Sequence, residues 1–134
     1  MKSIEKYYDN TQIEIPHKNI KKFIDMKINP QDAIELGCGA GRDTLYLIKN
    51  NWNVLAIDRE NTQEIITKRL NDEELKRFKF IMQNFESVEL GKCNLIVANF
   101  SLPFCNKNKF NELWNKIENS ISSNRIFCWE FFWN

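Results

Sequence analysis

The sequence predicts an α/β fold, a parallel sheet of about five strands with helices on both faces. Three observations predict it. Short, largely apolar runs around residues 34, 55, 80 and 96 have the length of strands buried within a sheet. Segments of helical spacing lie between them, so strand and helix alternate as right-handed βαβ units require. The first run ends in three alternating glycines, Gly37, Gly39 and Gly41, where a strand turns sharply into a helix.

The elements follow in order. Pro16 suits the first turn of a helix, where its missing N–H is no loss. Ile20, Phe23, Ile24 and then Lys27-Ile28 give that helix an apolar stripe, which Asn29-Pro30 ends. Residues 32–36 form the first strand and 42–50 the helix beyond the glycines. Val54-Leu55-Ala56-Ile57 is a second strand ending in Asp58, and 60–70 carry helical spacing through Ile65, Ile66 and Leu70. Phe78-Lys79-Phe80-Ile81-Met82 reads as the third strand and Leu95-Ile96-Val97-Ala98 as the fourth. Phe110, Leu113, Trp114, Ile117 and Ile121 trace one face of an amphipathic helix. Residues 126–133 close the chain as an aromatic-rich strand.

Composition bounds the function. A chain of 134 residues is one domain, spanning 1–134, long enough to bury a core. Apolar residues at 43% and charged residues at 28% are ordinary for a globular protein. The formal net charge of +1 gives no field that would draw nucleic acid or an anionic membrane. No run approaches a membrane span, and the N-terminus lacks the apolar core of a signal peptide, so a cytoplasmic protein is expected. Cys38, Cys93, Cys105 and Cys128 contain no C-x-x-C pair and fall mostly in apolar segments. They read as reduced, buried thiols, and no metal site is expected.

In open α/β sheets, ligands sit beyond the carboxyl ends of the strands, where strand order reverses. The glycines lie at such an end. Without Cβ atoms they let a ligand approach the backbone, next to the free N–H groups and positive dipole end of a helix. The spacing differs from the G-x-G-x-x-G dinucleotide fingerprint. It is E-x-G-x-G-x-G, with Glu35 two residues ahead of Gly37. An acid there repels a pyrophosphate and suits a ligand carrying an ammonium group, which disfavours NAD.

The stretch from Glu35 to Gly41 resembles motif I of the class I S-adenosylmethionine-dependent methyltransferases. Three segments are similar to the small bacterial tellurite-resistance-type subgroup: Gly41-Arg42-Asp43-Thr44-Leu45-Tyr46-Leu47, the run from Leu95 to Phe104, and Phe110-Asn111-Glu112-Leu113-Trp114-Asn115-Lys116-Ile117. The resemblance covers about residues 30–128, and motif I with Gly-Arg-Asp-Thr is its most specific part. It implies a Rossmann-like, doubly wound sheet of strand order 3-2-1-4-5. It also implies S-adenosyl-L-methionine as cofactor and methyl transfer to an acceptor. The acceptor is expected to be a small molecule, since no appended domain or basic patch suggests a macromolecular one.

Residues just after each strand make up the expected site. Glu35, Leu36, Gly37, Cys38, Gly39, Gly41, Arg42 and Asp43 surround the glycine loop. The resemblance places that loop under the methionine part of the cofactor, with the acid holding its polar end. Asp58, with Arg59 beside it, can accept hydrogen bonds from both ribose hydroxyls, or it opens the next helix as a surface acid. After the third strand, Asn84 and Phe85 match by position the residues that the family sets against adenine; Phe85 equally suits the core. After the fourth strand, the resemblance implies that Asn99, Phe100 and Ser101 meet the cofactor while Leu102 and Phe104 face the acceptor. A plain turn made by Pro103 is the other reading, which leaves the clustered aromatics unexplained. Tyr7 and Tyr8 either fold over the site, as part of an N-terminal segment of about fifteen residues, or simply pack. The sulfonium already activates the methyl group, so no general base is assigned. His17, the only histidine, reads as a surface or capping residue, and Cys38 as a small side chain in a crowded loop.

Members of the resembling family continue past the fifth strand with a helix and an antiparallel strand pair. This sequence stops at Asn134, just after Phe127-Cys128-Trp129-Glu130-Phe131-Phe132-Trp133. A sheet without that pair is therefore expected, its last strand an aromatic edge covered by self-association or by a partner chain. A shortened relic and a compact functional form are the other readings. An active methyltransferase and a catalytically degenerate cofactor-binding or interaction protein both stay open.

Overall fold

The computed structural model describes residues 15–84, 87–99 and 107–130, with 107–110 and 121–130 described as backbone only. Its sheet is built from β1 (Asp32–Leu36), β2 (Asn53–Asp58), β3 (Phe78–Met82), β4 (Cys93–Asn99) and β5 (Ile121–Glu130). The strand order is β3-β2-β1-β4-β5, and each neighbouring pair is parallel. β1 is the pivot: Ala33 lies opposite Val54 on one side and Leu95 on the other. The chain winds outward from β1 through β2 to β3, then crosses back to lay β4 on the other flank. That reversal opens a crevice between the C-terminal ends of β1 and β4.

Five helices complete the described chain: α1 (Lys18–Asp25), α2 (Arg42–Lys49), α3 (Gln63–Thr67), α4 (Asp72–Leu75) and α5 (Lys107–Ser120). Alternation along the strands sends side chains to two cores. Ala33, Val54, Ala56, Leu95 and Val97 pack with Ile20 and Phe23 of α1, Leu45, Leu47 and Ile48 of α2, and Ile66 of α3. Ile34, Leu36, Ile57, Ile96 and Ala98 pack on the opposite face with Leu113 and Ile117 of α5. Trp52, just before β2, is fully buried and meets the Phe23 ring at 5.2 Å and 58°, tying α1 to the sheet.

Three elements depart from the sequence expectation. The first helix stops at Asp25, because Lys27 takes φ 56 and turns the chain away, leaving Ile28 exposed. Where one helix is expected over 60–70, two short pieces stand: α3 over 63–67 and, beyond the expected span, α4 over 72–75. Asn71 and Glu74 start the second piece with a reciprocal capping box, at 2.9 and 3.0 Å. β5 begins at Ile121, five positions before the expected 126, because its start pairs with Cys93 ahead of a register irregularity between Cys93 and Leu95. β3 is the flank strand beyond β2, and its C-terminal end is open: Ile81 and Met82 are 40% and 60% exposed. The aromatic tail after Glu130, on which the covered-edge expectation partly rests, lies outside the described residues.

Candidate functional site

The glycine loop is stitched to the end of β2. Gly37 N–H donates to the Ile57 carbonyl at 2.7 Å and Cys38 N–H to the same oxygen at 3.3 Å. Gly41 N–H then closes the turn on the Cys38 carbonyl at 2.9 Å. All three glycines adopt left-handed backbone, with φ 76, 53 and 89, which side chains resist. Their reasons differ. Gly37 and Gly39 stay half-exposed at the crevice, whereas Gly41 is buried, and a Cβ on it would lie 2.7 Å from Ile66 Cγ1. Gly41 is therefore a packing glycine that lets α2 start against α3.

Asp58, the last residue of β2, is buried and braces the loop. Its Oδ2 accepts from Gly39 N–H at 2.9 Å and its Oδ1 from Glu60 N–H at 2.9 Å. Each carboxylate oxygen has a second lone-pair direction, so Asp58 can brace the loop and still accept a ligand hydroxyl.

Glu35 ends up beneath the loop. It is 4% exposed and accepts a hydrogen bond from the Thr44 hydroxyl in the first turn of α2. Burial, reinforced by the nearby charges of Asp43 and Asp58 and opposed by the Thr44 hydroxyl, pushes its carboxyl well above the usual range. Cys38 is likewise buried, its Sγ 3.8 Å from Thr62 Oγ1. Burial, then the charges of Glu35 and Asp58, drive its thiol well up, which leaves little nucleophilic thiolate.

Asp43 occupies a different setting. Its Oδ1 accepts the backbone N–H of His17 at 2.8 Å, while its Oδ2 meets His17 Nδ1 at 2.7 Å and Asn99 Nδ2 at 3.1 Å. Burial pushes this carboxyl up, but the hydrogen bonds and charge of His17, with Asn99, outweigh it and hold the group below the usual range. Asn99 and Asn19 pair through both amides, at 2.7 and 3.0 Å.

The structure thus gathers Gly39 with Asp58, Glu35 with Asp43, and Asp43 with Asn99 at the C-terminal end of the sheet. Leu36 is fully buried in the core shared with α5, so its side chain points away from the crevice. Arg42 is half-buried and donates from Nε to the Ile15 carbonyl at 3.0 Å. Arg59 and Asn84 are exposed beyond β2 and β3. Tyr7, Tyr8, Phe85, Phe100, Ser101, Leu102 and Phe104 lie outside the described residues. His17 does stand at the N-cap of α1, as a capping residue would, but its side chain makes no cap bond. The surface reading is corrected, since the ring is largely buried and bonded to Asp43. Asn19 and Thr44 also belong to the site and were missed. Thr44 lies within the quoted Gly-Arg-Asp-Thr segment, one helical turn into α2, and that spacing could have flagged it. Among the described residues, no group of three or more His, Cys, Asp or Glu side chains could hold a metal ion. No described helix is long and apolar enough to cross a membrane.

A doubly wound parallel sheet, an E-x-G-x-G-x-G loop at its switch point and an acid ending β2 together define a Rossmann-like class I methyltransferase fold. A family model described as "Tellurite resistance protein TehB" matches residues 1–125, and the chain belongs to that family of S-adenosylmethionine-dependent methyltransferases. A curated relative, carboxy-S-adenosyl-L-methionine synthase of Nautilia profundicola, is 26% identical over 94% of this chain and 53% of its own length. The chain therefore spans about half of that relative. Among solved structures, the TehB of Haemophilus influenzae superposes with a TM-score of 0.69 at 19% identity, covering 80% of this chain and 37% of that one. A glycopeptide N-methyltransferase, MtfA, complexed with S-adenosyl-L-methionine gives 0.69 at 16% identity, covering 81% and 51%. Coclaurine N-methyltransferase bound to N-methylheliamine and S-adenosyl-L-homocysteine gives 0.71 at 19% identity, covering 84% and 34%.

Proposed function

We propose that this chain binds S-adenosyl-L-methionine in the crevice between β1, β2 and β4 and transfers its methyl group to a small-molecule acceptor. The observation that carries the reading is the brace between Gly39 N–H and Asp58 Oδ2, at 2.9 Å. It holds a half-exposed, side-chain-free loop beside an acid that keeps lone pairs for hydroxyls, which suits a ribose next to a methionine chain. Gly37, Cys38 and Gly39 would offer the cofactor backbone. Asp58 would take the ribose hydroxyls, with Arg59 and Asn84 toward the base and Arg42 at the start of α2. Glu35, Asp43 and Asn99 act beneath and behind this surface, through their bonds to Thr44, His17 and Asn19. Family membership supports the cofactor, as do structural neighbours described with S-adenosyl-L-methionine or S-adenosyl-L-homocysteine and a relative named for a carboxylated form of the same molecule.

When bound, the cofactor supplies an already activated methyl group, so the chain's part is to bind, orient and exclude water. No side chain is assigned as general base. The test is calorimetric titration with S-adenosyl-L-methionine and with NAD, followed by methyl-transfer assays on small thiols and chalcogen oxyanions. Binding of the first alone, with turnover on one of these acceptors, is the expected result. Failure to bind S-adenosyl-L-methionine would end the reading, and binding without turnover would leave a cofactor-binding protein.

A further inference from the structure

His17 stands at the N-terminus of α1, yet its ring makes no cap bond to that helix. Its backbone N–H and its Nδ1 both reach across to Asp43, 26 residues on, and take one carboxylate oxygen each. A carboxylate can only accept, so the Nδ1 that meets it carries a hydrogen. Asp43 lies in the first turn of α2. Its charge therefore sits at the positive ends of two helices at once. The third bond to it comes from Asn99, the last residue of β4, whose amide is paired in both directions with Asn19 in the first turn of α1.

Three elements up to 80 residues apart therefore converge on one buried carboxylate. Ile20 and Phe23 already hold α1 on the sheet by apolar packing. Such packing is non-directional, whereas a fully bonded polar cluster fixes one register. The two junctions it clamps, the start of α2 and the end of β4, are the two walls of the switch-point crevice.

We propose that His17 is a positioning residue for cofactor binding: by clamping Asp43 against Asn99 it holds the start of α2 and the end of β4 at a fixed separation. The proposal rests on the cofactor reading above. A merely structural histidine would lower stability and leave the affinity of the folded protein unchanged.

The test uses the full chain with His17→Ala, His17→Gln and His17→Asn. Asparagine places its amide nitrogen close to where Nδ1 lies, glutamine where Nε2 lies. S-adenosyl-L-methionine affinity is measured by calorimetry at a temperature where circular dichroism shows each protein folded. His17→Ala and His17→Gln should lose about tenfold in affinity, and His17→Asn should stay within about threefold of wild type. Where His17→Ala does not fold, the contrast between Asn and Gln carries the test. Wild-type affinity in His17→Ala, or equal rescue by Gln and Asn, would overturn the positioning role with the cofactor reading intact. A wild-type chain that does not bind S-adenosyl-L-methionine would remove both.

Discussion

Glu35 and Asp43 stand on either side of the same glycine loop, 4% and 1% exposed, and their surroundings drive their protons in opposite directions. Glu35 has one hydroxyl donor and two acidic neighbours, so burial wins and its carboxyl rises. Asp43 has three N–H donors, two of them from one histidine, so its partners win and its carboxyl falls. Burial alone does not decide the charge of a carboxyl; the donors that reach it do. One wall of the crevice thus holds a charged clamp, and the strand beneath the loop holds an acid that resists ionisation.

The strongest way to break this contrast is Asp43→Ala. It leaves two N–H groups of His17 and the Asn99 amide facing a void, and should cost about 3–5 kcal/mol of folding stability, read by urea unfolding. A loss near zero would mean that the clamp carries no stability. Gly41→Ala comes next, since it forces a left-handed φ on alanine and drives its Cβ into Ile66. About 2–4 kcal/mol of destabilisation is expected in the same assay, the strain and the overpacking together. Asp58→Ala should weaken S-adenosyl-L-methionine binding by about 1–3 kcal/mol, measured by calorimetry, from the loss of hydroxyl acceptors and of the brace on Gly39. Unchanged affinity would take Asp58 out of the site.

The smallest effect sharpens the comparison most. A depressed Asp43 contributes stability that is full above its usual value of 3.8 and is lost as pH falls through its folded value. A raised Glu35 does the reverse: its contribution is full below 4.5 and is lost as pH rises through its folded value. Glu35→Gln should therefore flatten the decline of unfolding free energy as pH rises above 4.5, while Asp43→Asn should flatten the acid limb below 3.8. Urea titrations across that range check both slopes. Parallel slopes in the two variants would show that the environments of the two acids do not differ.

Local pattern carried much of this into the sequence. β1, β2 and β4 were legible within a residue or two because continuous apolar runs mark strands buried on both faces. α4 was missed although Asn71 and Glu74 spell a capping box, since its four residues carry one apolar side chain, Leu75, and so no periodicity. The glycine loop and Asp58 were legible because both follow strands at fixed short offsets. The roles of the glycines were not, because only Ile66, folded back from α3, shows that Gly41 serves packing.

The sequence by itself determined the alternation of strand and helix, the glycine loop and its acid, and so the class of the protein. These depend on neighbours within a few residues, where periodicity and spacing leave a readable trace. Only the tertiary structure decided that His17 and Asn19 meet Asp43 and Asn99, and that two acids beside one loop take opposite proton affinities. The cluster depends on partners 26 to 80 residues away, and the state of Glu35 on its burial beside Asp43 and Asp58; the winding of the sheet brings these together, and such contacts leave no periodic mark in a chain.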